Sequence, residues 1–363
     1  MRDGGTAVSH VSWSRKKSCP TDSRRSLSLT SAPHISDRAN VTAIWQPDET
    51  LYSLLSRHHR LSGNVRPEDT SLELFGQSGL GIAHDLPAHI DLLVSQTAGV
   101  LGSPSSLIFE RTLLPYFLPL MSASRALTAV ASARGQSVAS GKAIFGLRHT
   151  SLCTSNPLKA CRRCMKEDAE GCCFAYWHRD HQWPGAVICP LHNELLVQAS
   201  GRVYTGKRFD WLLPHAFKFT PCAQSPRERT LSYFQKLAGC ACGLGNLPKG
   251  FHFALEILSQ TYRRRLVETE LALQDGRLSH MKFCKYLSAA TNVLCGVRGL
   301  EILFQRRGSI ETLRFERLLY AGHPATHPVL HVILISAVFD SWESFARAYA
   351  AECLSVERLC TPP

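Results

Sequence analysis

The strongest constraint on this chain is a set of four residues in its middle: Cys161-x-x-Cys164, then 24 residues, then Cys189-Pro190-Leu191-His192. Each pair closes a tight turn, and two such pairs supply the thiolate and imidazole donors that a tetrahedral zinc ion takes from a knuckle-built module. The spacing predicts a structural Zn2+ site, because four filled coordination places leave none for a substrate. Between the pairs runs Tyr176-Trp177-His178-Arg179-Asp180-His181-Gln182-Trp183-Pro184-Gly185. Trp177 and Trp183 read as core of the small module. Arg179 and His181 read either as contacts to nucleic acid or a partner, since cations among aromatics suit stacking on bases, or as local bonding groups.

A chain of 363 residues, 44% hydrophobic and 19% charged, is long enough for two or three packed units that do not depend on one metal. The formal net charge of +12 favours an anionic partner, nucleic acid first. Candidate contacts are Arg57, Arg60, Arg162-Arg163, Arg263-Arg264-Arg265 and Arg306-Arg307. Fourteen cysteines accompany neither a signal-peptide pattern nor a long apolar run. The expectation is a cytoplasmic, reducing setting with no membrane span and with Cys-x-x-Cys as metal ligands. Cys222, Cys240 and Cys242 form a candidate second metal set, with His215 or His252 as fourth donor, or else are buried free thiols.

Nothing in the pattern argues for an enzyme. Glycine-rich phosphate loops and the Gly-x-Ser-x-Gly elbow are missing. The zinc-deaminase signature fails as well: Pro190 follows its cysteine instead of preceding it, and no His-x-Glu lies upstream.

Periodicity divides the chain into a basic, disordered leader or upstream-start artefact (1–42), a helical N-terminal unit (43–152), the zinc module (153–222) and a helical C-terminal unit (223–363). In the second unit, Pro47–Thr50 reads as a helix start with acids in its first turn, and Ser62-Gly63-Asn64 as that helix's end. Pro67–Ser71 opens a second helix. Further helices are expected through Leu86–Ile90, from Ser105 to Leu113 and from Arg125 to Ala133. Beyond the module, helices are expected over Phe251–Leu273, from a Ser279 cap through Phe283, Leu287 and Leu294, and over Ile310–Leu319, Val329–Val338 and Ser341–Ala351. The fold class is mainly α, with a helix-turn-helix-like N-terminal unit and a central zinc ribbon.

Several segments together resemble the TniQ/TnsD family of transposon target-selection proteins. They are Leu51-Tyr52-Ser53-Leu54-Leu55-Ser56-Arg57-His58-His59-Arg60-Leu61-Ser62-Gly63-Asn64, Glu73-Leu74-Phe75-Gly76, Asp85-Leu86-Pro87-Ala88-His89 and Thr112–Pro119. The metal stretch from Cys161 to His192 is similar to the TnsD branch, as are Gly276-Arg277 and His327–Ile335. The resemblance implies a non-enzymatic adaptor whose zinc ligands are Cys161, Cys164, Cys189 and His192. Its implied partners are DNA at the insertion site, a transposon AAA+ ATPase regulator and, through it, the transposase. The alternative is a scaffold docking on an RNA-guided CRISPR effector complex with little direct DNA binding. TnsD-like members continue into a further helical DNA-binding region beyond the point matching Pro363, which leaves sequence-specific attachment-site binding the open part of the expectation.

Overall fold

The computed structural model describes residues 44–135, 157–200, 204–205, 208–223, 228–275, 277–304, 310–320 and 327–360. The leader, the boundary near residue 152, Gly276 and Arg306-Arg307 lie outside the described residues.

Helix α1 (Leu51–Ser62) starts one residue after the expected acidic turn. Thr50 is its N-cap, accepting from the Ser53 amide at 3.2 Å, and Gly63 closes it in the left-handed conformation at φ 77°. Asp48 and Glu49 therefore sit before the helix, and no acid lies in its first turn. Both are used in other ways: Glu49 is fully buried against Arg57, and Asp48 meets the central module.

Helix α2 (Pro67–Phe75) starts on its proline, as expected, and ends at Gly76. The helix expected through Leu86–Ile90 instead begins at its last residue, as α3 (Ile90–Gln96). Pro87 biases the residue before it away from the helical region, and His89 takes a positive φ of 61°, so helical geometry starts only beyond them. Helix α4 (Pro104–Arg111) is capped by Ser103. Two proline-led 3-10 turns, Leu114–Tyr116 and Leu118–Leu120, carry the chain into α5 (Ala123–Gly135).

The metal stretch interrupts this helical order. Strand β1 (Lys159–Ala160) runs directly into Cys161 and helix α6 (Arg162–Cys172), and a short helix α7 (Arg179–Gln182) follows. Strands β2 (Val197–Ser200) and β5 (Lys218–Pro221) complete an antiparallel sheet ordered β1-β2-β5, in which Ala160 pairs with Val197 and Val197 with Pro221. Strands β3 (Tyr204–Thr205) and β4 (Arg208–Phe209) form a separate hairpin.

Beyond the sheet come α8 (Glu228–Gly245), α9 (Leu255–Glu268), α10 (His280–Thr291), α11 (Leu313–Glu316), α12 (Pro328–Val338) and α13 (Trp342–Cys360). Helix α9 is shorter than the expected span because Phe251–Ala254 is not helical; the Phe253 amide donates to the Pro119 carbonyl at 2.8 Å. Ser279 stands at the N-cap of α10 without a side-chain capping bond, and Leu294 falls in a 3-10 turn beyond that helix. Helix α13 runs well past the expected Ala351.

Every residue of α12 is buried, consistent with an apolar helix walled in by its neighbours. No single described helix is long and apolar enough to cross a membrane; α12 and α13 reach that threshold only as a pair bent by 98°. In α8, Gly243 and Gly245 are forced by packing: a β-carbon would lie 2.3 Å from Trp342 and 2.6 Å from Trp183, respectively. One contiguous cluster of buried side chains runs from Leu51 through Trp177 and Trp183 to Phe345.

Candidate metal centre

Cys161 is the N-cap of α6 and Cys164 lies in its first turn, where unpaired amides and the helix dipole favour negative sulfur. The second pair lies on a knuckle. Asn193, at φ 55°, donates its amide to the Cys189 carbonyl, and the Cys189 amide donates to the Glu194 carbonyl, both at 2.9 Å. An antiparallel bridge between Ile188 and Leu195 closes the loop before β2 begins.

The three sulfurs and one ring nitrogen lie within 4.8 Å of one another. Cys164 Sγ is 3.7 Å from Cys189 Sγ. His192 Nδ1 is 3.6 Å from Cys161 Sγ, 3.3 Å from Cys164 Sγ and 3.7 Å from Cys189 Sγ. A tetrahedron with zinc–thiolate and zinc–imidazole bond lengths has sulfur–sulfur edges of roughly 3.8 Å and sulfur–nitrogen edges of roughly 3.6 Å. The donor set therefore fits a four-coordinate metal ion of that size.

The thiol chemistry agrees. Hydrogen bonding from Cys164 and Cys189 holds Cys161 far below the ordinary thiol range, whereas the bond to Cys161 pushes Cys164 up and raises Cys189 to about 11. Sulfurs this close share one negative charge among them, and a divalent cation is what allows all three to ionise. Around them lie two groups that the ligand spacing does not reveal. Glu167 Oε1 accepts from His192 Nε2 at 3.2 Å, fixing the imidazole with Nδ1 toward the sulfurs. Its signal is Cys164-x-x-Glu167, a spacing that puts both side chains on one face of α6. His181 is buried, and its Nε2 lies 3.4 Å from Cys189 Sγ and 3.8 Å from Cys164 Sγ. Burial drives its pKa well below the usual histidine value, so the ring is neutral. Nδ1 is buried without a partner, which leaves Nε2 to carry the proton toward sulfur.

The segment between the ligand pairs is core. Trp177 and Trp183 are both fully buried, as their composition implies. Trp177 donates its ring N–H to the Leu212 carbonyl at 2.8 Å and its amide to Ser53 Oγ at 3.0 Å; its carbonyl takes the Thr50 amide at 3.0 Å. Trp183 stacks on Tyr116 at 5.8 Å, and the Tyr116 hydroxyl donates to the Pro184 carbonyl at 2.7 Å. His178 pairs with Asp168 at 2.9 Å. The bonds from Ser53, Thr50 and Tyr116 join the metal module to the helices before it.

Several of the arginines named as candidate contacts have partners within the fold. Arg57, 4% exposed, pairs with Glu49 at 2.9 Å, donates to the Ile44 carbonyl at 2.6 Å and lies over the Phe174 ring. Arg179 donates to the Phe109 carbonyl at 3.0 Å and to Asn246, and lies over Trp183. Arg264 pairs with the buried Glu352 at 2.5 Å, and Arg265 donates to the Val338 carbonyl at 2.8 Å. Arg263 is half-buried, with Nε inaccessible and without a hydrogen bond. Successive residues on a helix point about 100° apart, so three consecutive arginines do not make one cationic face. Arg60 is exposed, with its guanidinium against the His215 ring.

The candidate second metal set does not assemble: among the described residues the Cys161, Cys164, Cys189 and His192 group is the one that could hold an ion. Cys222 follows β5, whereas Cys240 and Cys242 stand two apart on α8, a spacing that turns their side chains to opposite sides. Burial pushes the Cys222 thiol up to about 11 and Cys240 up to about 12, as for small core residues.

Residues 42–196 match the TniQ family, a span that holds all four donors and the segment between them. Among curated relatives, the chain is similar to the transposon Tn7 transposition protein TnsD of Escherichia coli, with 23% identity over 264 residues. The alignment covers 65% of this chain and 51% of TnsD, so the chain spans about half the length of that relative.

Proposed function

We propose that the protein is a non-catalytic target-site selection adaptor of a cut-and-paste transposition system, with one structural zinc on Cys161, Cys164, Cys189 and His192. In this role it binds DNA at the insertion site and recruits an AAA+ ATPase regulator, which brings the transposase. The observation that carries the reading is the TniQ match across a closed donor set, in a chain similar to a transposition protein. The metal's part is to hold α6, the knuckle and the Tyr176–Gly185 segment as one body against the N-terminal helices. It supplies no reacting position.

A second reading is favoured by a specific feature of the surface. Arg57, Arg179 and Arg265 are spent largely on internal partners, leaving fewer cations for phosphate. That economy suits a scaffold that docks on an RNA-guided effector and barely touches DNA. A salt titration of DNA binding by the zinc-loaded chain separates the two. Direct binding gives an affinity that falls linearly on log–log axes, with a slope of about −0.9 per phosphate contacted, and Arg60→Ala flattens it by about one contact. No measurable DNA binding, together with co-purification with a guide RNA and its proteins, selects the scaffold. Failure to change transposition frequency on deletion from a complete system defeats both.

A further inference from the structure

We infer that the groove between α4, α5 and residues 247–252 receives an acidic amphipathic helix from a partner protein. The groove holds about 500 Å3 and is lined mainly by carbon, including Ile108, Phe109, Leu127, Val130 and Phe251. Leu127 is 72% exposed, and with Val130 one helical turn later it gives α5 an apolar edge that nothing in the described fold covers.

Charge selects the occupant. The charged side chains lining the groove are Arg134 and Lys249, and no carboxylate lines it. Arg134 is shared with Asp91 at 2.9 Å. The Lys249 ammonium has the Ser105 hydroxyl at 2.6 Å and the Phe109 ring at 5.3 Å, and no acid. A cation at the lip of an apolar channel pairs best with a carboxylate beside apolar anchors. Apolar anchors one helical turn apart, flanked by acids, are how an amphipathic helix seats in a groove.

The groove is also built in advance. The Lys249–Ser105 bond spans it, His252 Nδ1 donates to the Leu118 carbonyl at 3.0 Å, and the Phe253 amide donates to Pro119 at 2.8 Å. Arg179 adds a bond to each side, to the Phe109 carbonyl and to Asn246 next to Leu247. Walls held this way need little ordering when a ligand arrives.

The test is a phage-displayed library of random peptides about four helical turns long, selected on the full zinc-loaded chain and counter-selected on Leu127→Glu. That residue's exposure keeps the variant folded, which zinc content and melting temperature verify. Enriched peptides should carry apolar residues at i, i+3 or i+4 and i+7, flanked by Asp or Glu. Their affinity, read by fluorescence anisotropy, should fall at least about tenfold in Leu127→Glu and in Lys249→Glu, and recover in Lys249→Glu when the peptide acids become lysines. No enrichment, enrichment of non-acidic peptides, or binding indifferent to both substitutions overturns the proposal. Concentration-dependent self-association that disappears in Leu127→Glu assigns the face to a second copy of the chain and overturns it equally.

Discussion

Replacing Asp48 by Asn isolates one ionisation at the seam between the N-terminal helices and the metal module. The Asp48 carboxyl takes the Asp180 amide at 2.9 Å, and its backbone carbonyl takes the Arg179 amide at 2.7 Å. Burial, and then the charge of Asp180, raise its pKa from 3.8 to about 6; the Asp180 amide, Arg179 and His178 offset only part of this. A carboxyl whose folded pKa is raised favours the folded state while protonated, and that advantage is lost as pH rises through about 6. At about 1.4 kcal/mol per pKa unit the ceiling is about 3 kcal/mol. The side chain keeps 20% of its surface in water, so about 1–2 kcal/mol is the expected size.

Asn mimics the protonated acid: its carbonyl accepts the same amide and its NH2 can face Asp180. The prediction is that Asp48→Asn matches the wild type at and below about pH 3.8, gains on it as pH rises from there through about 6, and exceeds it by about 1–2 kcal/mol at neutral pH and above. Urea unfolding across that range, read as the difference between the two proteins, removes titrations they share, including those of the cysteines. A difference independent of pH, or a variant less stable at neutral pH, refutes the reasoning.

Three further perturbations test the remaining parts. Cys161→Ala or His192→Ala should abolish stoichiometric zinc and unfold the module, because binding free energy at such a site is folding free energy; zinc analysis and circular dichroism report this, and a folded, partner-competent variant would count against a structural ion. His181→Phe should keep the fold and the four ligands while weakening zinc about 10- to 100-fold in competition with a chelator, since only the N–H toward sulfur is lost; unchanged affinity would reduce His181 to a space filler. Arg57→Ala should cost about 3–5 kcal/mol in urea unfolding by stranding buried Glu49, whereas Arg60→Ala should leave stability nearly unchanged; a mild Arg57 variant would return that residue to the surface contacts.

How much of this was legible in the sequence depends on the distance over which each signal acts. The quartet was legible because each half of a metal site is local: Cys161 and Cys164 share one helix start, and Cys189 and His192 share one knuckle. Turn chemistry was equally local, so Thr50, Gly63 and Pro67 fall at helix boundaries. The Leu86–Ile90 expectation failed for a local reason too, with Pro87 and the left-handed His89 outweighing the apolar period.

The sequence by itself determined the four-donor cluster, mostly helical surroundings and tryptophans within the module. Tertiary structure alone decided what the charged residues do. Arg57 is taken up by Glu49 and the Ile44 carbonyl, Arg179 reaches the Phe109 carbonyl and Asn246 on opposite sides of a groove, and His181, open in the sequence between a partner contact and a local bonding group, lies beside the sulfurs. A side chain's type states which bonds it can make. Only folding brings distant acceptors within reach, and a buried cation takes those partners because leaving it unpaired costs more than any surface role returns.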